Sequence, residues 1–466
     1  MTDSLWSPGR RALTTGLVST VTLVAFEALA VSTAMPVVAR DLGGLELYGW
    51  VFAAFFLGSL IGIVVAGVVL DRGGLVRPFL GGLGLFAVGL AVGGLAPSMT
   101  VLVAARFVQG LGAGALPPIA YVAIGRNLPE RLRPRMFATL STAWVVPGLV
   151  GPAVAGFVAD EINWRLVFVG LIPILAVAGG MTLTGLGSAA TRTGQAPDPG
   201  ERAAAVASLR RLPLAVVVAA GAGLMVGGLS AAQPTLLIVG VGIGLVLAVP
   251  AFARLTPPGT LRADAGLPAA VLLRGLLTFA FFAADAYVPL ALVEVRGTSP
   301  TEAGLALTAA TLSWAGGAWV QARWLATFGT RAFVRAGFAI VTIGILGFAP
   351  VLLEGVPVVV AIVAWAVTGL GMGISYSPLS MIVLSEARSG AEGSATSGLQ
   401  LADVLGTALG TGVGGAFIAA GERAGQTALG LAWAFAVAVA VALAGLVLTH
   451  RLHGPARRRG MAETLR

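Results

Sequence analysis

The strongest constraint on this chain is the recurrence of apolar runs of about twenty residues. A helix rises about 1.5 Å per residue, so each run reaches across the roughly 30 Å hydrocarbon core of a bilayer. Six runs fall at 12–38, 48–70, 78–97, 101–125, 136–159 and 165–187. Two follow at 212–230 and 234–254, and six more at 268–293, 302–325, 332–353, 357–384, 395–420 and 427–450. Charged residues make up only 11% of the 466 positions, against about 25% in an ordinary soluble chain. The fold class expected is therefore an all-α membrane protein with about 14 spans. The first run follows Arg10 and Arg11 and contains Ala28-Leu29-Ala30, which imitates a signal-peptide cleavage site. It is too long for the apolar region of such a peptide, carries Glu27 and leads into further spans, so it reads as the first transmembrane helix.

The grouping divides the chain. Residues 1–187 form one six-helix half, 188–208 a polar linker, 209–267 two additional spans, 268–453 a second six-helix half and 454–466 a basic tail. Arginine sets the orientation. All 29 basic residues are arginine, and with the N-terminus inside only Arg40, Arg165, Arg296 and Arg423 fall in outer loops. Arg106 and Arg274 lie within spans, and every other arginine lies on the cytoplasmic side, as the positive-inside rule requires. The reading is a multi-pass protein of the plasma or inner membrane with both termini cytoplasmic. It also accounts for the net charge of +9: Arg457, Arg458 and Arg459 are a topology and lipid-headgroup signal, and no nucleic-acid partner is expected. The absence of cysteine excludes disulfide and thiolate chemistry. The two histidines, His450 and His453, sit together near the C-terminus, so no histidine-based metal or catalytic cluster is expected. No nucleotide-binding loop or extended soluble domain is present in the sequence. An enzyme is not expected, nor any metal or cofactor.

Several stretches place unusual residues inside spans. Residues 143–160, AWVVPGLVGPAVAGFVAD, carry Pro147, Gly148, Gly151, Pro152 and Gly156. In a membrane, neighbouring helices re-satisfy the freed backbone groups and glycines admit a second helix closely. Gly67, Asp71, Arg72 and Gly74 stand at the cytoplasmic end of the second run, and Arg106, Gln109 and Gly110 in the fourth. Glu27 lies near the middle of the first run, nine residues before Pro36. Asn163-Trp164-Arg165 opens the sixth run, with Phe168 following.

Taken in order, these stretches resemble the major facilitator superfamily, in particular its fourteen-helix drug:proton antiporters. The 143–160 stretch resembles the antiporter motif of the fifth helix, with Ala155 in place of one glycine. The alternative is a kinked packing helix. The 67–74 stretch resembles the loop motif G-x-x-x-D-R-x-G-R-R, but Leu75 and Val76 replace its last two arginines. The matching place in the second half, 326–329, has lost the Asp-Arg pair. The resemblance implies that Asp71 latches the halves together. The fourth run matches R-x-x-Q-G, and 163–168 matches the W-R-x-x-F start of the sixth helix, an interface anchor. Glu27 stands where the antiporters' first-helix signature has an aspartate.

A carboxylate at the midplane is costly when ionised, which suits it to exchanging a proton. Arg106 is roughly 8 Å nearer the outside, within reach of a long side chain. It either serves Glu27, as a functional partner or a structural ion pair, or snorkels to the nearer face. In the second half, Arg274 and Asp403 lie at similar depth and are expected to pair. Arg274 and Asp285 share a helix face but stand about 16 Å apart and cannot. Asp285 and Asp403 are expected on neighbouring helices. Gln109, Trp144, Trp314, Trp319, Tyr287 and Tyr376 are candidates for lining a substrate cavity, although tryptophans could equally face lipid.

The resemblance implies a monomeric proton-coupled exporter of lipophilic, cationic small molecules that works by alternating access. Glu27, Arg106 and Asp285 would couple it to protons. An exporter of an endogenous lipid or secondary metabolite is the first alternative. A non-transporting membrane scaffold or sensor is the second, and three acids and two arginines inside spans are hard to reconcile with it.

Overall fold

The structure, a computed structural model, describes residues 4–7, 10–70, 74–143, 145–190, 199–353, 355–388 and 391–452. The first half comprises α1 (Arg11–Leu42), α2 (Tyr48–Leu70), α3 (Val76–Gly94), α4 (Met99–Asn127), α5 (Arg133–Thr142), α6 (Val145–Phe157), α7 (Leu166–Val169) and α8 (Leu171–Ala190). The additional pair is α9 (Pro199–Ser230) and α10 (Pro234–Leu255). The second half comprises α11 (Leu267–Asp285), α12 (Val288–Leu290), α13 (Pro300–Phe328), α14 (Thr330–Phe348), α15 (Val359–Glu386), α16 (Glu392–Arg423) and α17 (Thr427–Leu448). Among the described residues there is no strand.

Among the described residues, thirteen helical segments are long and apolar enough to cross a membrane. The expected span at 302–325 is a helix, α13, of 29 residues, but it is not one of the thirteen. Its polar content explains this: Glu302, Thr308, Thr311, Ser313, Gln321 and Arg323 dilute the apolar run. The run at 136–159 is two helices, α5 and α6, followed by a π-helical turn at Val158–Asn163. Residues 199–208 of the expected linker are helical and continuous with α9. Residues 191–198 and the basic tail lie outside the described residues.

The two halves repeat one packing plan. In the first, α2 and α3 both pack on α4, and α1 packs on α6 and α8. In the second, α13 and α14 both pack on α15, and α11 packs on α16 and α17. Two seams then join the halves: α2 against α16, and α6 against α13. Both are close because they are lined by small residues. A Cβ on Gly49 or Gly415 would run into the backbone of the other, and one on Gly156 would meet the Thr301 backbone. The helix α9 packs on both α2 and α16, so the additional pair covers the first seam.

At the end of the bundle opposite Arg11, polar contacts add to the seams. Arg40 Nε pairs with Glu294 Oε1 at 2.7 Å, joining α1 to the π turn that follows α12. Asp41 accepts from the Trp164 indole at 2.8 Å and from Arg165 at 2.9 Å. Trp164 and Arg165 thus tie the segment just before α7 to the end of α1.

Candidate functional site

Glu27 is fully enclosed on α1, and Arg106 of α4 is 2% exposed. Arg106 Nη1 donates to Glu27 Oε1 and to Gln109 Oε1, the latter at 2.7 Å. Its Nε donates to the Val51 carbonyl at 3.3 Å, and its guanidinium lies 4.2 Å from the centroid of the Phe55 ring. Snorkelling is therefore not what Arg106 does: every one of these contacts points inward.

The local sequence explains the arrangement. Arg106 and Gln109 are three residues apart and share a helix face. Gly110 lets the α2 backbone come so close that a Cβ there would strike the Phe55 carbonyl. That approach brings Val51 and Phe55 to the guanidinium. The carboxylate is only half satisfied, since Glu27 Oε2 has no hydrogen-bond partner, and neither has Gln109 Nε2.

The second half builds a different cluster. Arg274 Nη1 and Asp403 Oδ1 stand 3.9 Å apart, so the expected pair forms, but loosely. Tyr376 sits between them. Its ring lies 3.5 Å below the Arg274 guanidinium, and its hydroxyl donates to Asp403 Oδ2 at 2.7 Å. Arg274 Nη2 is engaged by α15 instead, donating to the Tyr376 carbonyl at 2.5 Å and to Ser380 Oγ at 2.6 Å. Asp285 belongs to neither cluster. Its Oδ1 accepts from the Trp365 indole at 2.8 Å, inside a cage of Phe281 and Phe348 rings stacked or edge-on to Trp365. Its helix packs on α16 as expected.

The antiporter-motif residues Pro147, Gly148, Gly151, Pro152 and Gly156 are all buried. Gly148 faces Thr311, Pro152 faces Gly304 and Gly156 faces Thr301, so the motif is the α6 side of the α6–α13 seam. Gly151 faces Phe26, next to Glu27. Of the loop motif, Gly67 has open space around it and Gly74 takes a positive φ of 55°. Asp71, Arg72 and Trp144 lie outside the described residues.

The cavity candidates divide. Trp314 and Tyr376 are half-buried and in ring contact at 5.5 Å. Gln109 is fully buried and serves Arg106. Tyr287 is not open to a cavity: it is fully buried and donates its hydroxyl to the Thr411 carbonyl, which fits its ring against Gly414 and Tyr48. Trp319 is 81% exposed and stands apart from the other rings. Sequence reasoning passed over Phe55, Phe56, Phe281, Phe282 and Ser380. The signal was there in two Phe-Phe doublets, one in each half.

A model of the Major Facilitator Superfamily matches residues 9–258. An uncharacterized MFS-type transporter of Mycobacterium tuberculosis is 29% identical over 434 residues, covering 88% of this chain. The chain spans only 60% of that relative's length. A probable multidrug-efflux transporter of the same organism is 27% identical over 398 residues, 82% of each chain. The multidrug transporter protein MdtP of Bacillus subtilis is 32% identical over 177 residues, covering 37% of this chain and 33% of its own. Among solved structures, the POT family transporter PepTSo superposes with a TM-score of 0.70 at 15% identity, over 94% of this chain and 97% of its own. A D-xylose-proton symporter superposes with a TM-score of 0.63 at 15% identity, over 95% and 98%. At such identities these two speak for the fold.

Proposed function

The chain belongs to the Major Facilitator Superfamily; from that premise we propose that it is a multi-pass membrane transporter, and more narrowly a proton-coupled exporter of lipophilic, cationic small molecules, of the fourteen-helix antiporter type. The observation that carries the reading is Glu27, an enclosed acid held through one oxygen by Arg106, with the other oxygen unbonded. A proton arriving at Glu27 weakens its attraction to Arg106, and losing the proton restores it. Because α1 packs on α6 and touches α13 of the second half, that change acts beside a seam between the halves. Rocking of the halves about the α2–α16 and α6–α13 seams would then carry the substrate across. Asp285 is the second proton-binding candidate, Asp71 and Arg72 form the cytoplasmic latch, and α13 completes the fourteenth span.

Relatives with multidrug efflux in their names support export of drug-like compounds. The arginine distribution supports a plasma or inner membrane location with both termini cytoplasmic; a monomer is part of the proposed reading. The test is a substrate screen in proteoliposomes. An imposed pH gradient should drive uptake or release of lipophilic cations, and collapsing the gradient should stop it. Accumulation indifferent to the gradient rules out proton coupling.

A further inference from the structure

The exporter reading gives no task to the additional pair, α9 and α10. The two helices form one unit, because glycines bring their backbones together. A Cβ on Gly228 would lie 3.0 Å from Gly240 Cα, and one on Gly244 would lie 2.5 Å from the Gly221 carbonyl oxygen. Since α9 packs on both α2 and α16, it touches both halves where they meet. When the halves rock, it can keep only one of these contacts unchanged. The two contacts are built differently.

Three features tie the pair to the second half. Midway along, the Val226 side chain of α9 fills the space beside Gly412 of α16, so that a Cβ there would meet Val226 Cγ2 at 2.4 Å. Gly412 is three residues from Gly415, which meets Gly49 at the seam, so α16 presents neighbouring glycines to α9 and α2. At the end opposite Arg11, Arg423 Nη1 donates to the Ser230 carbonyl at 2.9 Å. At the other end, the chain leading from α10 into α11 is folded onto the second half. It is braced internally, with Asp264 N donating to the Gly259 carbonyl at 3.1 Å. Gly266 N then donates to the Arg451 carbonyl beyond α17 at 3.0 Å, and a Cβ on Gly398 of α16 would stand 2.8 Å from Pro257 Cδ.

The contact with α2 is of another kind. Trp50 and Leu57 of α2 rest against Gly223 and Gly227, one turn apart on α9. A Cβ on Gly223 would stand 3.7 Å from Leu57 Cδ1, and one on Gly227 would stand 3.4 Å from the Trp50 ring. A methyl group would fit at both places. Side-chain rims on a smooth glycine face resist sliding weakly, because no ridge has to climb out of a groove.

From this asymmetry we infer that α9 and α10 move as part of the second half, and that the face between α9 and α2 is the one that slides. Trp50 travels along the Gly223–Gly227 face while Val226 stays seated beside Gly412. The α2–α16 seam thereby stays covered on that side as it separates, and bilayer lipid is kept from entering between the halves. The inference rests on the rocking in the exporter reading and goes beyond it by giving the additional pair a task.

The test is the distance between spin labels on introduced cysteine pairs, measured by double electron–electron resonance on the full chain in nanodiscs at acidic and at alkaline pH. The chain has no cysteine of its own. Leu95 just after α3, Leu237 of α10 and Leu429 of α17 lie at the same end of the bundle and are exposed. The Leu95–Leu429 distance reports the two halves and should shift with pH. Leu237–Leu429 should stay fixed, and Leu95–Leu237 should shift along with Leu95–Leu429. If Leu237–Leu429 shifts while Leu95–Leu237 stays fixed, the pair rides on the first half and the inference falls alone. It also falls alone if all three distances shift, since the pair then follows neither half. If Leu95–Leu429 is the same at both pH values, the halves do not respond to protons, and the proton-coupled reading fails and takes the inference with it.

Discussion

Arg40 and Glu294 hold a 2.7 Å ion pair between the two halves of the molecule, at the end of the bundle opposite Arg11. The pair is open to its surroundings, with side chains 53% and 31% exposed, so it contributes little to overall stability, on the order of 0.2–1 kcal/mol. Its place matters more than its strength. A contact made in only one arrangement of the halves biases the population of that arrangement by its full differential energy, here up to about fivefold. The chain contains no cysteine, so a cysteine pair can be introduced cleanly. With Arg40→Cys and Glu294→Cys together, a bis-methanethiosulfonate cross-linker that spans the two long side chains should arrest transport, and reduction should restore it. Transport that continues after verified cross-linking would show that these two positions do not separate during the cycle.

Gly156 tests the second seam. A Cβ there would meet the backbone of Pro300 and Thr301, which cannot give way as a flexible side chain could. Gly156→Leu should hold α6 and α13 apart and slow transport severely, while substrate binding changes much less. The measurement is the ratio of initial transport rate to binding affinity. A parallel fall in both would place Gly156 in the substrate site and not at a seam.

The looseness of the Arg274–Asp403 pair has a measurable consequence. A tightly bonded buried pair loses about 3–5 kcal/mol when one partner is removed. At 3.9 Å, and with the Asp403 side chain 22% exposed, the coupling between these two should be nearer 1 kcal/mol. Arg274→Leu, Asp403→Leu and the double variant, compared by thermal unfolding, give that number. Most of the loss in Arg274→Leu should persist in the double variant, because its bonds to the Tyr376 carbonyl and Ser380 Oγ are lost in both. A coupling above about 3 kcal/mol would mean that Asp403 is fully committed to Arg274.

How far the sequence carried the reading differs by residue. Glu27 and Arg106 were legible because position along a helix converts directly into depth, and charges at compatible depths inside a bilayer seek each other. Depth also brought Arg274 and Asp403 together. It could not show Tyr376 between them, because lateral placement depends on which faces of α11, α15 and α16 meet. The same gap explains Tyr287, whose polar ring reads as a cavity residue until the close Gly49–Gly415 contact is seen to bury it. It explains Asp285 as well, since an acid without an arginine partner draws no attention to an indole 80 positions away. Residues 302–325 read as a span from length alone, and the helix α13 is long enough, but its polar residues keep it out of the apolar set.

Glu27→Gln is the decisive variant for coupling. Glutamine keeps the length of the side chain and an oxygen able to accept from Arg106, so the contact in the structure can largely be retained. What it loses is the ability to take up and release a proton. The fold should survive, at a cost of up to about 3–5 kcal/mol for a buried guanidinium deprived of its counter-charge, because Arg106 keeps Gln109 Oε1, the Val51 carbonyl and the Phe55 face. Efflux driven by a pH gradient should be abolished. Exchange of substrate across the membrane without a gradient should persist, because the α2–α16 and α6–α13 seams are untouched. Glu27→Asp shortens the reach to Arg106 by one methylene but still ionises, and should keep partial gradient-driven activity. Both variants are to be measured in the same proteoliposomes, with and without the gradient. Gradient-driven efflux by Glu27→Gln at the wild-type rate would transfer the coupling role to Asp285, the other enclosed acid, and the same pair of measurements on Asp285→Asn would then decide it.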